Sequence, residues 1–202
     1  MTAGRGKRLA VAAFAVGALV VQGAAAQAAT PQADQAPRAQ VAAASISWTL
    51  VRADNPTQDQ REAYALITDA MNAAVARYNG LSGLGKTITV HYDPSVPTAD
   101  GHLNGTIRFG GRGYMTERTA LHEISHTLGV GQSAGWSSLS SGGTWRGAGA
   151  TALVKQYDGA SATISTGGGH FWPYGLNYEN EFSQTSADRH VHIVEAMVGD
   201  GM

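Results

Sequence analysis

The stretch Thr116-Glu117-Arg118-Thr119-Ala120-Leu121-His122-Glu123-Ile124-Ser125-His126-Thr127-Leu128-Gly129 decides how the rest of the chain is read. Thr116 is an N-cap residue type, whose hydroxyl can accept from a first-turn backbone N–H. Gly129 is a residue type that ends helices. Between them, Leu121, Ile124 and Leu128 fall at i, i+3 and i+7 and form a core-facing stripe. His122 and His126 are four residues apart and project side by side, one turn apart. Glu123 is rotated by about 100 degrees from His122 around the helix.

Two imidazoles at that spacing can grip one ion. The chain has no cysteine, so a zinc site here must use His, Asp or Glu. Imidazole ligands leave Zn2+ strongly Lewis acidic, and the ion lowers the pKa of its water to about 7. A carboxylate placed like that of Glu123 accepts the proton of that water and hands it to the leaving group. The plain alternative is a helix with two surface histidines.

Upstream of this helix, Ile46, Trp48 and Leu50 alternate with Ser47, Thr49 and Val51, which predicts a first strand over Ser47 to Arg52. Asp54-Asn55-Pro56-Thr57 is a stop followed by a helix start. Tyr64, Ile67, Met71, Ala74 and Val75 then recur at helical spacing from Gln58 to Tyr78, and Asn79-Gly80 closes that helix. Thr87 to Tyr92 reads as a second strand, Asp93 to Asn104 as a loop, and Thr106 to Phe109 as a short strand. Downstream, the segment from Gly129 to Gly149 is rich in Gly and Ser. Ala150 to Tyr157 predicts a short helix and Ser186 to Met197 a final one, with Ser186 or Asp188 near its start. The expected class is α+β: a small mixed sheet, an N-terminal helix, an active-site helix and an irregular C-terminal half. An irregular stretch that long in a compact domain is often functional.

The segment His122-Glu123-Ile124-Ser125-His126-Thr127-Leu128-Gly129-Val130-Gly131-Gln132 resembles the metzincin signature H-E-x-x-H-x-x-G-x-x-H. His122, Glu123, His126 and Gly129 match, and Gln132 stands where that superfamily has His or Asp. The resemblance implies a metzincin-like fold and a catalytic zinc on His122 and His126, with Glu123 as general base. It also implies a peptide substrate paired with a sheet edge, for which Thr106 to Phe109 has the matching order in the chain. Gln is a poor zinc ligand, so the third ligand must come from elsewhere. His170 is the first choice: Gly167-Gly168-Gly169 before it allow close backbone approach, and Phe171 and Trp172 after it can shield a metal. Its alternative is a histidine packed among aromatics. Glu179 or Glu181 would resemble the gluzincin arrangement. His190 is third, and its alignment with Ile193, Val194 and Met197 also fits a core residue. His192 points away from that stripe, and no role is assigned to His91 or His102. Metzincins carry a Met-bearing turn beneath the zinc. Met197 or the Met-free turn Pro173-Tyr174-Gly175-Leu176 could take that part here. Tyr174 and Tyr178 are candidate donors to a developing oxyanion at the substrate, or else packing groups.

Arg5, Lys7 and Arg8, the apolar run Leu9 to Val21 and the small residues Ala24 to Ala28 have the order of a secretory signal peptide over residues 1–28. Residues 29–45 are rich in Ala, Gln and Pro and read as a flexible leader or pro-segment. Residues 46–202 form the expected hydrolase domain, long enough for one core. Net charge is -1; without the three N-terminal cations, 11 basic residues face 15 acidic ones, or -4. That balance gives no electrostatic case for nucleic acid or an anionic membrane as partner. The expectation is a secreted, monomeric zinc metallopeptidase, extracellular or periplasmic, acting on protein or peptide. Two rivals remain. One is a glycan or cell-wall binding module using Trp136, Trp145 or Trp172; the other is a zinc hydrolase of a non-peptide amide or ester.

Overall fold

The first buried strand is tied to the first helix by one side chain. In the computed structural model, which describes residues 44–202, strand β1 spans Ile46–Leu50 and helix α1 spans Gln58–Leu81. Asn79 accepts from the Ile46 N–H at 2.8 Å through Oδ1 and donates to the Ile46 carbonyl at 2.9 Å through Nδ2. The helix therefore continues through Asn79-Gly80, where composition suggested a stop. It ends at Ser82, whose N–H and hydroxyl both bond the Tyr78 carbonyl. At its start, Thr57 and Gln60 form a reciprocal capping box. The face Ala63, Tyr64, Ile67, Ala70, Met71, Ala74, Val75 and Tyr78 is buried.

Strand β2 (Lys86–Tyr92) follows, then β3 (Ala99–Gly101) and β4 (Thr106–Phe109). The sheet order is β1-β2-β4-β3. β1, β2 and β4 run parallel, and β3 lies antiparallel on β4. A parallel pair needs a long crossover, and α1 supplies the one between β1 and β2. Two expectations are corrected here. Thr106–Phe109 is an interior strand, and the edge is Ala99–Gly101, inside the segment read as loop. Ala-Asp-Gly has no β-branched or aromatic residue, so that strand exists through its pairing with β4 and not through local preference.

After a 3-10 turn at Arg112–Tyr114 comes α2 (Glu117–Leu128), with Thr116 as N-cap and Gly129 at its end with φ 133°. Every residue from Arg118 to Thr127 is buried, so α2 is a central helix enclosed on all sides. The second half carries more regular structure than its composition suggested: α3 (Ala134–Leu139), α4 (Ala148–Asp158), a hairpin of β5 (Ser165–Gly167) and β6 (His170–Trp172), and α5 (Gln184–Gly199). α5 begins two residues before Ser186, because Ser183 caps it by accepting from the Ser186 N–H. The domain is α+β, with α1, α2 and α5 sharing one apolar core against the sheet. The proposed signal peptide (1–28) and nearly all of the leader (29–45) lie outside the described residues. No helix among the described residues is long and apolar enough to cross a membrane.

Candidate metal centre

His122 and His126 sit on the same side of α2 with their Nε2 atoms 3.1 Å apart. Each Nδ1 faces a backbone carbonyl: Gly175 at 2.7 Å for His122 and Val130 at 2.9 Å for His126. A carbonyl can only accept, so each Nδ1 carries the proton and donates it. In the neutral ring the Nε2 lone pair is then left free, and the two lone pairs converge. Burial, aided by the neighbouring His126, holds His122 well below the usual imidazole range, and burial likewise depresses His126. Two converging, unprotonated nitrogens in a buried place are a donor set suited to a cation. Carbonyl acceptors behind the rings are the usual outer support of a histidine metal ligand.

His170 completes the cluster from a different part of the chain. It opens β6, after a turn in which Gly168 and Gly169 take φ 57° and 83°. Its ring stacks on that of His122, with centroids 5.1 Å apart and planes 13° apart. One nitrogen from each of His122, His126 and His170 lies within 4.8 Å of the others, close enough to hold a metal ion. The hairpin that carries His170 docks onto the turn after α2 at Gly131. A Cβ there would lie 2.4 Å from the Gly169 carbonyl, and Gly131 itself has φ 75°. That contact needs glycine twice over, for space and for the left-handed backbone.

Glu123 lines the cleft with the three histidines. Its carboxyl is pushed up to about 8, first by burial and then by the charge of Asp100; Arg118 and the Gly101 N–H act in the opposite direction. Gly101 packs directly on the helix: a Cβ would lie 2.3 Å from the Glu123 carbonyl oxygen. The cleft has a volume of 320 Å3 and is lined by Ala99 to His102 at the β3 edge and by Gly131, Gln132, Gly168 and Gly169. A second cavity of 170 Å3 continues past His122, Glu123 and His170 to Tyr114, Arg118 and Asn177.

The other sequence candidates fall elsewhere. The Glu181 carboxylate accepts from the Trp172 indole and the Asn177 N–H, and Glu179 pairs with Arg118. His190 is a core residue: it donates to the Tyr174 carbonyl through Nδ1, with Tyr78 and the Leu121 carbonyl at its Nε2. Burial lowers its pKa to about 4. The Tyr174 hydroxyl donates to Asp158, directed by Arg189, and does not line the cleft. Tyr178 is 64% exposed and lines neither cavity. The turn Pro173–Leu176 does support the cluster, through the Gly175 carbonyl and without a methionine. Tyr174 and Leu176 hold φ of 67° and 56° there, a costly backbone for side-chain-bearing residues. Met197 is fully buried in the core. Gln132 bonds the backbone of Gly101 and Leu103 instead of facing the cluster as a ligand. Sequence reading gave no role to Asp100, Gln132 or Tyr114, whose places by the cleft come from the β3 edge and from irregular turns.

Comparison with family models, curated proteins and solved structures finds no match for the chain. Fold and site together define an α+β domain with a three-histidine cluster of a size to hold one metal ion.

Proposed function

We propose that the chain is a secreted zinc-dependent peptidase that uses His122, His126 and His170 as ligands and Glu123 as general base. The observation that carries this reading is the convergence of three imidazole nitrogens within 4.8 Å beside a buried carboxylate in one cleft. Three protein ligands with one open position are the usual arrangement of a catalytic zinc. When bound, the ion supplies Lewis acidity for water and substrate carbonyl. Glu123 takes the proton of the attacking water and returns it to the leaving amine. The charge of three neutral rings plus a dication would favour the ionised form of Glu123, against the burial that raises it. Secretion rests on the N-terminal pattern of charges, apolar run and small residues. The metzincin-like signature supports the reaction class, and His170 fills the ligand role that Gln132 does not.

The glycan-binding alternative loses two of its three aromatics. Trp136 and Trp145 are 5% and 2% exposed and pack on each other, with ring centroids 5.5 Å apart.

The test is metal content together with hydrolysis. The purified mature protein is expected to hold one zinc, and Glu123→Ala to retain it while losing on the order of a hundredfold or more in peptide hydrolysis. Full activity of Glu123→Ala, or absence of any bound metal from zinc-replete protein, overturns the proposal. Hydrolysis of a cell-wall amide but not casein would keep the metal chemistry and change the substrate.

A further inference from the structure

We propose that Gln132 closes the exposed edge of β3 beside the histidine cluster, so that the site accepts short peptides or chain ends and not the middle of an extended polypeptide. This rests on the peptidase reading.

The argument begins with which backbone groups of β3 are free. Its ladder to β4 uses alternate residues: the Thr98 carbonyl accepts from the Gly110 N–H at 2.9 Å, and the His102 N–H donates to the Thr106 carbonyl at 2.8 Å. Asp100 stands opposite Arg108 between them. In an antiparallel pair one residue turns its N–H and C=O to the same side. Ala99 and Gly101 therefore turn theirs to the open edge; beyond the strand, the Leu103 N–H lies on that side too, while its carbonyl accepts from Lys86 Nζ at 2.7 Å. That edge, running past Glu123, is where an extended peptide would add as a further strand.

Most of it is already occupied. Gln132 Nε2 donates to the Gly101 carbonyl at 2.6 Å, and Gln132 Oε1 accepts from the Leu103 N–H at 2.8 Å. The carboxamide thus makes the two bonds that a substrate strand would make. The Gly101 N–H lies toward the Glu123 carboxyl. Ala99 keeps its N–H, and its carbonyl holds only a 3.2 Å bond from the Thr98 hydroxyl. A chain pairing there gains two backbone hydrogen bonds, where a strand of several residues would gain twice that or more. Gln132 is held in place by its own turn, through its N–H to the Gly129 carbonyl at 3.0 Å and the Gly131–Gly169 contact beside it. A bound chain can continue past the cluster toward Tyr114 and Asn177, but in the other direction it meets the Gln132 side chain.

The experiment uses zinc-loaded full-length mature protein and fluorogenic peptides with one fixed scissile bond, lengthened residue by residue on either side. In the wild type, kcat/KM is expected to fall at least tenfold as one side grows from one residue to four, with no such fall on the other. In Gln132→Ala the ratio of long- to short-peptide kcat/KM rises at least tenfold. Gln132→Glu, which keeps the acceptor for Leu103 and loses the donor to Gly101, lies between. Amide exchange supplies the structural control: the Leu103 amide exchanges faster in Gln132→Ala, and the α1 amides do not. If α1 also loosens, Gln132→Glu decides. Equal rates for long and short peptides in the wild type overturn the inference while leaving the peptidase reading intact. So does an unchanged ratio in a Gln132→Ala protein whose Leu103 amide is exposed. Absence of both zinc and hydrolysis removes the peptidase reading and this inference with it.

Discussion

Replacing Arg118 by Met separates an exposed ion pair from a buried backbone clamp. Arg118 is 6% exposed on α2. Its guanidinium donates to Glu179 at 2.9 Å, to the carbonyls of Leu176 at 2.8 Å and Asn177 at 3.3 Å, and to the Thr119 hydroxyl at 2.8 Å. The Glu179 side chain is 68% exposed, so that pair contributes at most about 1 kcal/mol. The two carbonyls belong to the turn that also offers Gly175 to His122, and Leu176 is fully buried. Met fills most of the same space but leaves them without a donor, at about 1–3 kcal/mol for a buried unpaired group, and less for the longer bond. Arg118→Met should therefore cost about 3 kcal/mol and Glu179→Gln under about 1 kcal/mol. In a domain of this size that is a Tm loss of roughly 6–12 °C for the first and a few degrees at most for the second. The turn also positions His122, so zinc affinity in Arg118→Met should fall about 10- to 100-fold, the usual cost of losing outer support. Denaturant unfolding of the metal-free proteins and competitive zinc titration measure the two effects. If Arg118→Met and Glu179→Gln lie within error of each other in both, the clamp argument is wrong.

Other consequences can be checked with the same preparations. His170→Ala should bind zinc at least a hundredfold more weakly, on the order expected for a lost direct ligand. Glu181→Ala should keep its zinc, since its carboxylate serves Trp172 and Asn177; metal content after dialysis distinguishes them, and the opposite ranking would reassign the third ligand. His190 is buried neutral, with its pKa lowered from 6.5 to about 4, so the unfolded chain binds the extra proton and stability falls as pH drops from 6.5 toward 4. Over those 2.5 units its share is about 3 kcal/mol. His190→Asn keeps a donor for the Tyr174 carbonyl and should flatten Tm against pH in that window; an unchanged slope would count against the assignment. Gly131→Ala puts a Cβ 2.4 Å from the Gly169 carbonyl at φ 75°, and should cost at least about 1 kcal/mol and weaken zinc binding by displacing His170. Wild-type Tm and zinc affinity in that variant would show that the hairpin docks independently of the contact.

The elements whose ends carry their own chemistry were legible in the chain. Thr116 and Gly129 bound α2 where their cap preferences place them, and Thr106–Phe109 is the short strand expected before it. Elements held by distant partners were not. Helix α1 outlasts Asn79-Gly80 because Asn79 finds the backbone of Ile46, 33 residues away. Strand β3 is Ala-Asp-Gly, a sequence with turn character, made extended by β4. α3 is six residues long and capped by Ser133, within a Gly- and Ser-rich stretch where a cap does not stand out from its surroundings.

The site divides along the same line. His122, Glu123 and His126 share one helix, so their relation follows from 3.6 residues per turn. His170 is fixed by the docking of a hairpin at Gly131 and Gly169, which no periodicity encodes, and local reading could not separate it from Glu179, Glu181 or His190. Gln132 shows the reason most plainly. Its place in the signature marks it as a ligand position, yet a carboxamide carries donor and acceptor on one end, and that end matches the C=O of residue i and the N–H of residue i+2 along an extended edge. Gly101 and Leu103 are such a pair. A neutral imidazole has its donor and acceptor on opposite sides of the ring and cannot bridge both groups, so the residue type at 132 follows from what it holds at β3, and the third imidazole of the cluster comes from the β5–β6 hairpin.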